Sequence, residues 1–265
     1  MALLPLKEYP FKSKPMICAH RGDTSRGAVE NSIGAVDAAL ATGAEMIEID
    51  VQMTSDGVLI CHHDDVLAKG DRQPIWQRTY DDLLLQSDAD VLPRFEEVLR
   101  HAAGKAYLNI EMKDYSGYHP SRFVHPLVGL VRKYDMHDRS LYSSFRFDYI
   151  HALPWDCLSV IICPTSDIVT FFNGRSVSPV ITPNPVGAML PSEIMQFAHA
   201  TTFACMLSEI TDEFRKDIKK HNIFLSIYTI SSTEGFDLAI HEGASAVVTD
   251  IPRELVSHRN TRYPQ

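Results

Sequence analysis

The stretch Met46–Asp64, MIEIDVQMTSDGVLICHHD, places two carboxylates and two histidines among residues that otherwise favour strands. Read as a strand, Met46 to Met53 sets Glu48 and Asp50 two residues apart on one face, where two oxygen ligands can converge. Carboxylates inside an apolar strand are costly to bury unless they are paired, protonated or bound to a cation. A hard divalent ion is the simplest partner. After the turn signal Thr54-Ser55-Asp56-Gly57, a second apolar run, Val58 to Cys61, delivers His62 and His63. The plainer alternative for this stretch is a solvated strand end with a charged fringe.

Upstream, Met16 to His20 reads as a strand ending in His20-Arg21-Gly22. Asn31 or Ser32 then caps a short helix whose Ile33, Val36, Ala39 and Leu40 share a face, closed by Gly43. Downstream, the polar segment from Lys69 to Asp90 reads as a loop with a short helix, followed by a helix from Pro93 that Gly104 stops. Tyr107 to Met112 is the next strand, with Asn109, Glu111 and Lys113 on one face. The alternation continues through helices at Leu127–Tyr134, Asp148–Leu153, Pro191–Ala200, Thr211–His221 and Thr233–His241, with a last helix after Pro252. The matching strands are Leu141–Phe145, Leu158–Cys163, Thr202–Met206, Phe224–Ile230 and Ala246–Thr249. Thr165 to Leu190, rich in Pro, Gly and Asn, reads as an excursion from this pattern.

Strands alternating with helices over 265 residues point to an α/β protein with one domain, residues 1–265, and favour a (β/α)8 TIM barrel over a doubly wound sheet. Nine strand candidates leave one outside the barrel count. The link Thr54 to Gly57 is too short for a crossover helix, so the Val58 strand is either a hairpin return or an irregular barrel member. His20, Glu48, Asp50, His63 and Glu111 fall toward C-terminal strand ends, where such barrels carry their chemistry.

A net charge of −9 with no basic run argues against a nucleic-acid or anionic-membrane surface. No segment approaches the roughly 18 apolar residues of a membrane span. The cysteines, Cys18, Cys61, Cys157, Cys163 and Cys205, are odd in number, lack metal-type spacing and sit in apolar runs. Together with a poor leader sequence, they make the cytoplasm the expected compartment.

His20-Arg21-Gly22, Glu30-Asn31-Ser32, Ile47-Glu48-Ile49-Asp50-Val51, Thr54-Ser55-Asp56-Gly57, His63-Asp64-Asp65-Val66-Leu67 and Asn109-Ile110-Glu111-Met112-Lys113 resemble, in order and spacing, the glycerophosphodiester phosphodiesterase family. Later segments, Ser143-Ser144-Phe145 and Val248-Thr249-Asp250-Ile251-Pro252, look like strand ends of the same family. Tyr228-Thr229-Ile230-Ser231 stands where the family usually has Trp-Thr-Val-Asn, which puts the alcohol of the substrate in question. The resemblance implies a divalent metal, Mg2+ or Ca2+, on Glu48, Asp50 and Glu111, and an acid/base pair of His20 and His63. An all-oxygen ligand set agrees with a hard ion better than with Zn2+. Arg21 and Lys113 can hold phosphate oxygens, one as a fork and one as a point charge. Glu30 would orient its neighbours, and Tyr228 would pack and touch substrate.

Each assignment has a plainer rival. His62 competes with His63, since adjacent rings on a strand face opposite ways; the His-Asp-x-x-Leu register selects His63. Lys113 could serve only as an ion-pair partner of Glu111, and Asn31 only as a helix cap. Cys18 and Cys61 read as core residues. The implied activity is cleavage of a small-molecule glycerophosphodiester to glycerol 3-phosphate and an alcohol, through a cyclic phosphate. Two alternatives keep the chemistry on a sugar diester of the agrocinopine type or on a lysophospholipid. A third is an inactive phosphate-binding module.

Overall fold

The computed structural model describes residues 6–9, 15–68, 72–87, 92–113, 119–162 and 189–264. The strands are β1 (Met16–Ala19), β2 (Met46–Met53), β3 (Leu59–Cys61), β4 (Tyr107–Met112), β5 (Ser140–Ser144), β6 (Leu158–Ile162), β7 (Thr202–Met206), β8 (Leu225–Ile230) and β9 (Ala246–Thr249). All but β3 run parallel, in the order β1-β9-β8-β7-β6-β5-β4-β2, and a β1–β2 pairing closes the ring. The result is a (β/α)8 barrel. The Val58 strand corresponds to β3, which pairs antiparallel with β2 in the register Val51↔Cys61 and Met53↔Leu59. It is the hairpin return, outside the ring, as its five-residue link requires.

Helices α1 (Ile33–Leu40), α2 (Tyr80–Leu84), α3 (Phe95–Ala102), α4 (Ser121–Lys133), α5 (Phe147–Ala152), α6 (Pro191–Ala198), α7 (Asp212–His221), α8 (Thr233–His241) and α9 (Pro252–Arg262) cover the outside. Outward-facing Ile47, Ile49 and Val51 of β2, and Leu108 and Ile110 of β4, pack with Val36, Phe95, Val98 and Leu99 in the main core. The alternate residues Met16, Met46, Tyr107, Leu141, Val160 and Ala246 form a second cluster inside the ring. This period of two governs the whole molecule: whatever sits two or four residues beyond an inner-layer residue rises toward the C-terminal mouth.

Helix α4 begins six residues before the expected Leu127. Phe123 and Val124 are buried with Leu127 and Val128, and that packing carries the helix through Pro126 despite the backbone hydrogen bond the proline cannot make. Of the excursion Thr165 to Leu190, residues 165–188 lie outside the described residues, as do Cys163 and parts of the 69–90 loop.

The seam between β1 and β2 is pinned at its lower end by a buried ion pair. The Arg259 guanidinium of α9 donates to Glu45 at 2.9 and 2.8 Å and to the Pro15 carbonyl at 2.9 Å. Glu45 in turn accepts from the Ile17 backbone N–H at 3.2 Å. Removing one partner strands a charge out of water. Arg259→Ala is expected to lower the unfolding free energy by about 3 to 5 kcal/mol in a urea titration. A loss well under about 1 kcal/mol, the range of an exposed pair, would show that the seam does not depend on it.

Candidate active site

The inward residues of β2 and β4 build the centre. Register sets Glu48 beside Asn109 and Asp50 beside Glu111. Glu48, Asp50 and Glu111 are 2%, 0% and 8% exposed, and one carboxylate oxygen from each lies within 4.8 Å of the others. Burial, then the charges of Asp50 and Glu111, push the Glu48 carboxyl well above the ordinary range. Burial and Asp50 raise Glu111 in the same way.

The loop after β1 partly compensates this charge. The Arg21 backbone N–H donates to Glu48 Oε2 at 2.8 Å, and the Arg21 guanidinium Nε lies 3.3 Å from Asp50 Oδ2. Glu30 receives the other end of that guanidinium at 3.0 and 3.2 Å, so it holds Arg21 in place. The loop doubles back through left-handed backbone at Arg21 (φ 53°), Gly22 (φ 86°) and Asn31 (φ 59°), with the Asn31 N–H on the Arg21 carbonyl at 2.9 Å. At Gly22 a Cβ would lie 2.7 Å from the Ala35 backbone, so only glycine lets the loop close on α1.

Asn31 is more than a cap. Ser32 caps α1, accepting from the Ala35 N–H, whereas Asn31 is buried and grips Asp50 with both amide atoms. Its Nδ2 donates to Asp50 Oδ2 at 2.9 Å, and its Oδ1 accepts from the Asp50 N–H at 3.0 Å. Lys113 ion-pairs with Glu111 at 2.7 Å and stands 3.8 Å from Asp50 Oδ1. Among the described residues, Glu48 Oε1 and Asp50 Oδ1 are buried with no hydrogen-bond partner. Two orphaned carboxylate oxygens in an all-oxygen cluster fit a hard divalent cation.

His20 follows the inner residues Met16 and Cys18, and its Nδ1 lies 2.7 Å from Asp250 Oδ1. That hydrogen bond holds the Asp250 carboxyl below its ordinary range. Sequence motifs suggest no role for Asp250, yet Ala246 and Val248 are inner residues of β9 and the period of two continues to it. After β3, His63 Nδ1 lies 2.7 Å from Asp64 Oδ1, a bond that lowers the Asp64 carboxyl, with Arg21 adding to the effect. His62 is instead tied back to its own loop, with Nε2 3.2 Å from the Val66 carbonyl. Gln52, also unforeseen, is the next inner residue after Asp50; its Nε2 donates to the carbonyls of His62 and Asp64 at 2.8 and 2.6 Å and anchors the loop that carries both histidines.

A cavity opens beside the carboxylates, and its lining includes His20, Glu48, Glu111, Phe145 and Tyr228. Tyr228 meets Phe145 edge to face at 6.3 Å. The lining also has an apolar part, with Leu141, Val160, Ile162 and Val248. Cys18 lines the same cavity, and Cys61 is buried against the outer core.

Fold and site together define a parallel α/β barrel whose C-terminal mouth holds a buried acidic cluster, with one carboxylate-braced histidine lining the same cavity and a second on the loop after β3. The chain belongs to the glycerophosphoryl diester phosphodiesterase family, whose model matches residues 20–254. It is 24% identical over 265 aligned residues to a glycerophosphodiester phosphodiesterase of Caldanaerobacter subterraneus, covering 92% of this chain and 97% of the relative. A human lysophospholipase D is 21% identical, covering 93% of this chain and 85% of that protein. Among solved structures, a glycerophosphodiester phosphodiesterase from Parabacteroides distasonis superposes with a TM-score of 0.76 at 22% identity, covering 95% of this chain and 99% of the other. A phosphodiesterase from Oleispira antarctica, in complex with the product sn-glycerol-3-phosphate, gives a TM-score of 0.74 at 20% identity over 93% and 97% of the two chains.

The raised carboxyls have a consequence for folding. A group whose folded pKa lies above its unfolded value contributes stability at pH below the unfolded pKa, and that stability is lost as pH rises through the folded pKa. Glu48 and Glu111 are both of this kind. In chelator, the protein is therefore expected to lose stability as pH climbs from about 4.5, the ordinary carboxyl range, toward neutrality. Glu48→Gln should flatten that slope in urea midpoints taken at several pH values; an unchanged slope in the variant would rule out Glu48 as a source of the pH dependence.

Proposed function

We propose that the protein hydrolyses glycerophosphodiesters to glycerol 3-phosphate and an alcohol, with Mg2+ or Ca2+ as its cofactor. The observation that carries this is the cluster of Glu48, Asp50 and Glu111, within 4.8 Å of one another, beside a histidine braced by Asp250. A divalent ion held by these carboxylates would neutralise charge on the phosphoryl oxygens and acidify a nearby hydroxyl. Arg21, fixed by Glu30 and Asp50, and Lys113 complete a cationic rim suited to a phosphodiester.

His20 and His63 act as the acid/base pair. Asp250 and Asp64 occupy their Nδ1 atoms, which fixes the tautomer and assigns proton exchange with substrate to Nε2. The motifs contain no activated Ser or Cys, so the attacking oxygen comes from water or from the substrate. A glycerol hydroxyl next to the ester oxygen, held against phosphorus, has an advantage over water of about 7 to 11 kcal/mol in well-oriented cases. One histidine takes the proton of that hydroxyl as its oxygen bonds to phosphorus; the other gives a proton to the departing alcohol. A five-membered cyclic phosphate results, and water then opens it. The protein acts in the cytoplasm on this reading.

A second substrate class is favoured by one feature. The apolar part of the cavity lining, Leu141, Val160, Ile162 and Val248, would suit an apolar group attached to the diester, as in a lysophospholipid. Rates across diesters of glycerol with choline, with a sugar and with an acylated glycerol separate these cases.

Activity should vanish in excess chelator and return with Mg2+ or Ca2+; full turnover without a divalent ion would sink the cofactor assignment. His20→Ala and His63→Ala are each expected to lower turnover by about 10²-fold or more, the usual range for a lost acid or base, while His62→Ala does much less. If His62→Ala is the inactive variant, the register chosen for the histidines is wrong. A substrate matched in every way but lacking the vicinal hydroxyl should resist cleavage. Its unimpaired hydrolysis would show direct attack by water.

A further inference from the structure

At the opposite, N-terminal face of the barrel lies a second cluster that the phosphodiester chemistry does not use. His137 opens the short turn before β5, and Asp156 and Cys157 immediately precede β6. A ring nitrogen of His137, a carboxylate oxygen of Asp156 and Cys157 Sγ lie within 4.8 Å of one another. His137 Nε2 is 3.2 Å from Asp156 Oδ2, while His137 Nδ1 is buried with no hydrogen-bond partner among the described residues. Cys157 is a free thiol, 4% exposed.

Tyr142 supplies an independent observation. It is fully buried on the outward face of β5, and among the described residues its hydroxyl has no hydrogen-bond partner. Burial, followed by the charge of Cys157, pushes the phenol up. Buried polar atoms left without a partner, here on Tyr142 and His137, call for something that binds them. Arg132 restrains Asp156 through a single guanidinium nitrogen, at 2.9 and 2.8 Å, and a carboxylate with about four lone-pair sites retains others for a cation. The side chain of Asp156 is 38% exposed, which leaves a route from solvent.

We propose that His137, Asp156 and Cys157 form a second metal site, selective for a borderline-soft divalent ion such as Zn2+. One nitrogen, one oxygen and one sulfur donor suit Zn2+ or Co2+ and not the hard ions that fit Glu48, Asp50 and Glu111. The two sites would therefore load independently, on opposite faces. On binding, the Cys157 S–H bond gives way to a sulfur–metal bond and the proton leaves to solvent; nothing is oxidised or reduced.

Co2+ is the probe, added to the full chain in excess Mg2+ so that the acidic cluster is occupied. The wild type should develop a saturable thiolate-to-cobalt charge-transfer absorption that Zn2+ abolishes. The band should be lost in Cys157→Ser, weakened in His137→Ala and unchanged in Glu48→Gln. Circular dichroism of the variants checks that they fold. A wild type with no such band, or a band that survives in Cys157→Ser, would overturn the proposal, because binding would then be absent or would use another thiol.

Discussion

Three carboxylates held within 4.8 Å of one another and out of water repel strongly, and this repulsion is the constraint on which the upper half of the barrel is built. Arg21 contributes a backbone N–H to Glu48 and a guanidinium to Asp50; Asn31 contributes an amide; Lys113 contributes an ammonium to Glu111. These groups hold the carboxylates' directions while leaving Glu48 Oε1 and Asp50 Oδ1 without hydrogen bonds among the described residues. Full satisfaction by protein donors would close the cluster to a cation. Partial satisfaction keeps it assembled and receptive.

The scaffold makes such a cluster tolerable. Closure of the sheet through the β1–β2 pairing abolishes exposed strand edges and brings β1, β2 and β4 side by side, so that inner residues far apart in the chain converge. The outer layer of Ile47, Ile49, Leu108 and Ile110 under the helices supplies the apolar burial that outweighs the cost of the acidic mouth. Stability and function are separated along the barrel axis, with the Arg259–Glu45 pair at one end and the carboxylates at the other.

The histidines illustrate a further division of labour. Each Nδ1 is engaged by a carboxylate, but the two braces come from different places: Asp64 is the chain neighbour of His63, whereas Asp250 is 230 residues from His20. His62, by contrast, has Nε2 3.2 Å from the Val66 carbonyl of its own loop. Gln52 then ties the whole segment to β2. The brace is thus written locally at one histidine and only by barrel closure at the other.

Much was legible from local pattern. Alternation in Met46–Met53 and Tyr107–Met112 was enough to put Glu48, Asp50 and Glu111 on inner faces, because side-chain direction in a strand follows sequence parity alone. The alternation of strands and helices was enough for the barrel. What sequence parity cannot say is which inner residues meet across the ring. The structure turned Asn31 from a helix cap into the clamp on Asp50, revealed Asp250 behind His20, and made β3 a hairpin return. Each depends on contacts between segments that only the closed sheet brings together. Chemistry of residue types and periodicity are properties of the chain itself; hydrogen-bond partners at long separation are properties of the fold.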